Sequence, residues 1–259
     1  MTDAMTEHSE PIVRFVDVSM AFGALSVFEH LNLDVKHGEV LTIIGGSGCG
    51  KSVLLKMILG LLQWQSGAVT VDGADITHFD EGQMLPVRRK VGMLFQNGAL
   101  FDSLTVLENI AYPLRERGID DEGVIAQRAA EVLEMVGLPG VEPKMPAELS
   151  GGMRKRVALA RAIAEAPKVL LYDEPTTGLD PINVRRISEL IVDLNQRLNV
   201  TSICVTHDLA SAYMISDRLA MIAERRVIEV APTEELRASK NPIVQEFLSA
   251  MRLDTTRAA

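Results

Sequence analysis

Gly45-Gly46-Ser47-Gly48-Cys49-Gly50-Lys51-Ser52 follows a continuous apolar run at residues 40–44 and opens a stretch, residues 52–62, with the apolar spacing of a helix. An unbroken apolar run reads as a strand buried on both faces. The glycines let backbone N–H groups turn inward around an anion without Cβ obstruction. The helix that follows directs the positive end of its dipole at the same place. In this G-x-x-x-x-G-K-[ST] pattern Lys51 brings a point charge to the β- and γ-phosphates of a nucleotide, and Ser52 offers a hydroxyl to Mg²⁺. A glycine-rich turn with an incidental lysine is the bland alternative; the strand before the loop and the helix after it argue against that alternative. Cys49 reads as a small filler within the loop.

Outward from this loop, residues 12–18 and 31–35 are β-rich, and 69–71 with Asp72-Gly73 suggests a strand and turn. Residues 90–95 form another strand. From about 104 to 136 the pattern is helical, with Val124, Ile125, Ala129, Val132, Leu133 and Val136 on one face and Gly137 closing it. A further helix runs from Ser150 to about residue 165. Then come a strand at 169–172, a helix at 181–198, a strand at 201–205, a helix at 208–215, and strands at 219–223 and 227–230. Alternating strands and helices imply an α/β fold, with a parallel sheet covered on both faces. The early β-rich part and the helical stretch at about 97–160 are attachments to that core. Ligand chemistry belongs at the carboxyl ends of the parallel strands. Residues 1–10 and 251–259 read as tails.

Bulk composition narrows the class. The 259 residues carry 47% apolar and 24% charged side chains, ordinary for a globular chain, and only 4% aromatics, so the core is aliphatic. A net charge of −9 argues against a nucleic-acid binder. Cys49 and Cys204 make no disulfide framework and no metal-ligand spacing, which fits a reduced, cytosolic setting. The richest apolar window, residues 53–62, carries Lys56 and falls short of the ~20 residues a membrane span needs. A membrane role therefore has to come through a partner.

Two more motifs carry chemistry. Val169-Leu170-Leu171-Tyr172-Asp173-Glu174 is an apolar strand ending in paired acids: Asp173 is placed to hold Mg²⁺ through water, Glu174 to polarise an attacking water. In Leu149-Ser150-Gly151-Gly152-Met153, Ser150 is a natural N-cap, yet Arg154, Lys155 and Arg156 fill the first turns of its helix. Cations there oppose the macrodipole unless an anion is nearby. A solvated basic face is the alternative; the two glycines behind the serine favour a phosphate.

Taken together, the Walker A loop at 45–52, the LSGG signature at 149–152 and the Walker B strand at 169–174 resemble an ATP-binding cassette domain over about residues 11–250. The resemblance implies a P-loop NTPase core with an N-terminal antiparallel β attachment and a helical signature subdomain, using ATP and Mg²⁺. By it Gln96 matches the Q-loop glutamine that senses Mg²⁺ and the membrane partner. Thr177-Gly178-Leu179-Asp180 resembles the D-loop, His207 matches the switch histidine, and Phe22 stands where the family keeps an aromatic for adenine. It also implies a head-to-tail homodimer in which Ser150, Gly151 and Gly152 cap ATP held by the opposite subunit. Met153 replaces the usual signature glutamine and Val53 the common threonine after Ser52.

Within the family, DNA- or ribosome-acting cassettes carry insertions, zinc spacings or a second cassette, none of which this chain has. Residues 95–116, 150–156 and 241–248 resemble the ATPases of MCE-associated lipid transporters, the Mla type, which moves phospholipid between bacterial inner and outer membranes. That resemblance implies an integral membrane permease, an MCE-domain protein and a STAS-domain protein as partners, and a place at the cytoplasmic face of the inner membrane. The alternative is an importer ATPase for amino acids or other polar solutes, which shares every catalytic motif. Phe101 is the candidate for permease contact, whereas Leu104 and Val106 are placed either there or beneath the helical attachment. The stripe Ile243, Val244, Phe247, Leu248 and Met251 is read as packing on its own domain or touching a neighbouring subunit.

Overall fold

A computed structural model describes residues 10–257. The expected tails fall partly outside them, at residues 1–9 and 258–259. The chain divides into two compact units, Met1–Arg88 with Ile203–Ala259, and Arg89–Ser202.

The first unit opens with β1 (Val13–Phe22), β2 (Leu25–Val35), β3 (Val40–Gly45), α1 (Lys51–Ile58), β4 (Ser66–Val71), β5 (Ala74–Asp75) and α2 (Glu81–Arg88). The second holds β6 (Val91–Leu94), α3 (Val106–Glu116), α4 (Glu122–Met135), α5 (Gly151–Ile163), β7 (Val169–Asp173) and α6 (Pro181–Leu198). β8 (Thr201–Val205) leads the chain back to the first unit and its α7 (Leu209–Ile215), β9 (Arg218–Ala223), β10 (Arg226–Pro232), α8 (Thr233–Arg237) and α9 (Pro242–Arg257).

In the first unit β2, β1, β4 and β5 form the antiparallel attachment. Every residue of β3 is buried, Thr42 included, whose hydroxyl accepts from the Ser216 hydroxyl, and β3 pairs in parallel with β9, Leu41 opposite Arg218 through Gly45 opposite Ile222. β10 then runs antiparallel to β9. Ile44, Leu209, Ala212, Leu219, Met221, Leu236, Val244 and Leu248 form one buried cluster against which Ile243, Phe247 and Met251 also pack. The α9 stripe is thus covered by its own unit. Asn241 caps that helix, its Oδ1 accepting from the Ile243 N–H at 3.0 Å. α9 also extends through positions read as tail, to Arg257.

α1 is shorter than the spacing predicts: it ends at Ile58, with Gly60 in the left-handed region at φ 63°. α2 was not expected. Asp80 and Gln83 cap it reciprocally, each backbone N–H donating to the other's side chain, and Met84 and Val87 bury its inner face.

In the second unit β6 and β7 pair in parallel, Val91 opposite Val169 through Leu94 opposite Tyr172. The helical pattern expected over 104–136 is two helices. Thr105 and Glu108 form a capping box that starts α3; Gly118 at φ 81° ends its run, and Asp121 caps α4. Ile125, Ala129, Val132, Leu133 and Val136 are buried as expected, but Val124 is 51% exposed. The buried set already fills one stripe at i, i+4, i+7, i+8 and i+11, and a residue one position earlier sits about 100° off it. Val106 is fully buried, and buried Asn109 donates to the carbonyls of Phe101, Leu104 and Thr105, which folds the segment entering α3.

Candidate active site

Gly45–Ser52, Phe22 and His207 belong to the first unit; Gln96, Ser150–Gly152, Asp173, Glu174 and Asp180 belong to the second.

The loop after β3 is held from within. Lys51 is 8% exposed, and its Nζ donates to the carbonyls of Gly45 at 2.8 Å and Gly46 at 3.0 Å. Gly50 is the N-cap of α1, with φ 100°, and a Cβ there would lie 2.7 Å from the Phe28 ring and from Val27. No other residue fits both the conformation and the contact. No side chain caps α1, so its dipole faces the loop, where an anion is the natural cap. An ammonium already tethered to the loop and an uncapped helix start suit a polyphosphate. Burial pushes the Cys49 thiol up despite nearby Lys51, in keeping with a filler role. Beside the loop lies a pocket of about 260 Å³, lined by residues 25–27, 47–49 and 224–225. Phe22 stands 46% exposed at the end of β1, opposite Leu25, and is not part of that lining. His207 is exposed just past β8; the preceding Thr206 N–H donates to the Ile43 carbonyl, and the following Asp208 caps α7.

The second unit gathers the other motifs. Gln96 is exposed, two residues beyond β6. Asp173 ends β7 and is half-buried. Glu174 takes φ 49°, a left-handed conformation that costs a non-glycine residue about 1–3 kcal/mol. Its Oε2 accepts from the Thr177 hydroxyl at 3.1 Å. Asp180 caps α6, accepting from the Ile182 and Asn183 N–H groups, and the Asn183 side chain beside it holds its carboxyl below the ordinary range. Ser150 caps α5, its Oγ accepting from the Met153 N–H at 3.3 Å. Gly152 is buried where a Cβ would meet the Asn183 side-chain oxygen at 2.8 Å. Gly152 therefore packs against Asn183 in the first turn of α6, three residues past Asp180.

The cations of the basic turn each donate to backbone carbonyls. Arg154 donates to Leu149, and Arg156 to Val136 and Gly137 at the end of α4, where a cation also suits the helix dipole. Lys155 donates to Pro175 and Thr177, both at 2.7 Å, and more loosely to Glu174 at 3.4 Å. Burial lowers the pKa of Lys155, opposed by the Glu174 charge. Lys155 and Asn183 were not singled out from sequence; nothing in a charged run or an ordinary first helical turn announces such partners.

Among the described residues no helix is long and apolar enough to cross a membrane. The ABC transporter family model matches residues 28–177. A Haemophilus influenzae protein, the intermembrane phospholipid transport system ATP-binding protein MlaF, is 41% identical over 93% of this chain and 91% of its own length. The probable ribonucleotide transport ATP-binding protein mkl of Mycobacterium leprae is 40% identical over 91% of this chain and 68% of its length. The methionine import ATP-binding protein MetN of Rhizobium johnstonii is 42% identical over 85% of this chain and 61% of its length. The dimeric ATP-binding cassette MJ0796, solved with ADP and Pi in a post-hydrolysis state, superposes with a TM-score of 0.78 at 32% identity, over 85% of this chain and 98% of that one. The phosphate loop, the strand-end acids and the signature helix thus stand in a known frame, and the chain belongs to the ABC transporter family as an ATP-hydrolysing cassette subunit.

Proposed function

We propose that this subunit drives phospholipid transport between the inner and outer membranes of a bacterial envelope, as a homodimer docked on an integral permease at the cytoplasmic face of the inner membrane. The match to Haemophilus MlaF, near full length in both chains, carries this reading. Lys51 and the loop amides bind the β- and γ-phosphates; Phe22 supports the adenine. Ser52, Asp173 and Gln96 would hold Mg²⁺, which would supply charge neutralisation for the transferring phosphoryl group. Glu174 orients and deprotonates the attacking water, His207 steadies the γ-phosphate, and Ser150–Gly152 with Asp180 close on the partner's nucleotide. An MCE-domain protein and a STAS-domain protein complete the assembly.

Phe101 is the permease contact. Its ring, 42% exposed, lies 4.8 Å from that of Tyr112, itself 45% exposed, with the Arg161 guanidinium 5.7 Å away. Exposed aromatics beside a cation suit an interface anchor. A second reading, import of an amino acid, is favoured by the 42% identity to MetN.

Deleting the gene decides between the two. Loss of the outer-membrane barrier to detergent, with phospholipid in the outer leaflet, is expected. Complementation with Phe101→Ala is expected to restore ATPase activity and not the barrier. An intact envelope with a specific failure to take up methionine overturns the lipid reading.

A further inference from the structure

Within the basic turn Lys155 is the cation that reaches the turn after β7, whereas Arg156 reaches the end of α4. Lys155 is 7% exposed, and an ammonium carries three protons, which the carbonyls of Pro175, Thr177 and Glu174 receive. All three acceptors lie in the turn that leaves β7. One belongs to Glu174, the residue held at φ 49°. Another belongs to Thr177, whose hydroxyl donates to the Glu174 carboxylate. The backbone and the side chain of Glu174 are therefore both referenced to a single ammonium. Arg154 instead serves the Leu149 carbonyl just before α5, and Arg156 the Val136 and Gly137 carbonyls at the end of α4.

We propose that Lys155 is a positioning residue for ATP hydrolysis, tying the turn that carries Glu174 to the helix that begins at the signature. α5 is capped at Ser150, five positions before Lys155, and the first turns of a helix move as one body. An anion docking at Ser150–Gly152 and shifting that helix end moves the Lys155 ammonium, and the three carbonyls pass the shift to Glu174. The signature loop thus sets the aim of the carboxylate in its own subunit. This rests on Glu174 being the hydrolytic base.

The test uses the purified full chain with Lys155→Met, which keeps length and removes every donor, and Lys155→Gln, which keeps some. A misplacement of about 1 Å at a reacting group is worth about a hundredfold in rate, so kcat should fall on that scale for Lys155→Met and less for Lys155→Gln. ATP Kd should stay within about twofold, because the lost interaction is not one made to bound nucleotide. Thr177→Val, which removes only the hydroxyl, should lower kcat moderately, and its effect should be non-additive with that of Lys155→Met. Wild-type kcat in folded Lys155→Met overturns the proposal, as do additive losses in the double variant, or kcat and binding falling together with the folded fraction. Should Lys155→Met not fold, Lys155→Gln and Thr177→Val give the same reading. Glu174→Gln assayed alongside separates the failures. If it turns over at the wild-type rate, the base assignment falls and takes this inference with it; if it is dead while Lys155→Met is unimpaired, only the positioning role falls.

Discussion

Two lysines, Lys51 and Lys155, each hold a turn at the end of a buried strand, and they do so in opposite ways. Lys51 reaches back five and six residues to carbonyls of its own loop. Lys155 reaches forward about twenty residues to a turn it does not belong to. Both are nearly buried, at 8% and 7% exposure. The first turn is self-contained: its ammonium can exchange carbonyls for phosphate without disturbing a distant element. The second is borrowed, held by a side chain of α5 rather than by its own residues. A local tether suits a binding loop that must be ready for ligand; a long-range tether suits a catalytic residue that must report on something elsewhere.

Breaking the catalytic side of that contrast should have the largest effect. Glu174→Gln removes the proposed base while keeping the shape, and general-base catalysis is worth about 10²–10⁴-fold. Single-turnover ATP hydrolysis should fall on that scale with nucleotide binding intact; loss of binding as well would mean the turn is structural. Lys51→Ala removes the charge proposed to exchange carbonyl for phosphate. Charge-assisted hydrogen bonds are worth about 1.5–3 kcal/mol each, so ATP affinity should drop about a hundredfold by calorimetric titration. Retained affinity would mean the lysine serves only its own loop.

Gly152→Ala sharpens the comparison at smaller cost. The added methyl meets Asn183 in the first turn of α6, and overpacking of this kind costs about 1–3 kcal/mol. A lower melting temperature, recovered when Asn183→Ala is added, is the expected result. Recovery failing to appear would place the strain elsewhere.

How legible each region was in sequence follows from the range of its interactions. The strand at 40–44 and the helix at 181–198 could be read directly, because a buried strand and a capped amphipathic helix advertise themselves in consecutive residues. α2 was hidden: Gly82 and Pro86 lie inside it, and breakers outweighed the reciprocal Asp80–Gln83 cap. The Thr105–Glu108 box was equally present in the sequence, and reading it would have split the 104–136 stretch.

The sequence by itself determined the chemistry at 45–52, since glycine conformational freedom, a lysine and a serine at fixed spacing act through contacts a few residues long. It also determined that residues 243–251 carry an apolar face. Only the tertiary structure decided what covers that face, namely α7, α8 and the β3–β9–β10 strands. It likewise decided which backbone carbonyls the cations after Ser150 donate to. The reason is physical. Charge and amphipathicity are properties of a segment, whereas the partner that neutralises a charge or buries a stripe lies across a packing contact, and no local pattern encodes which carbonyl or side chain arrives there.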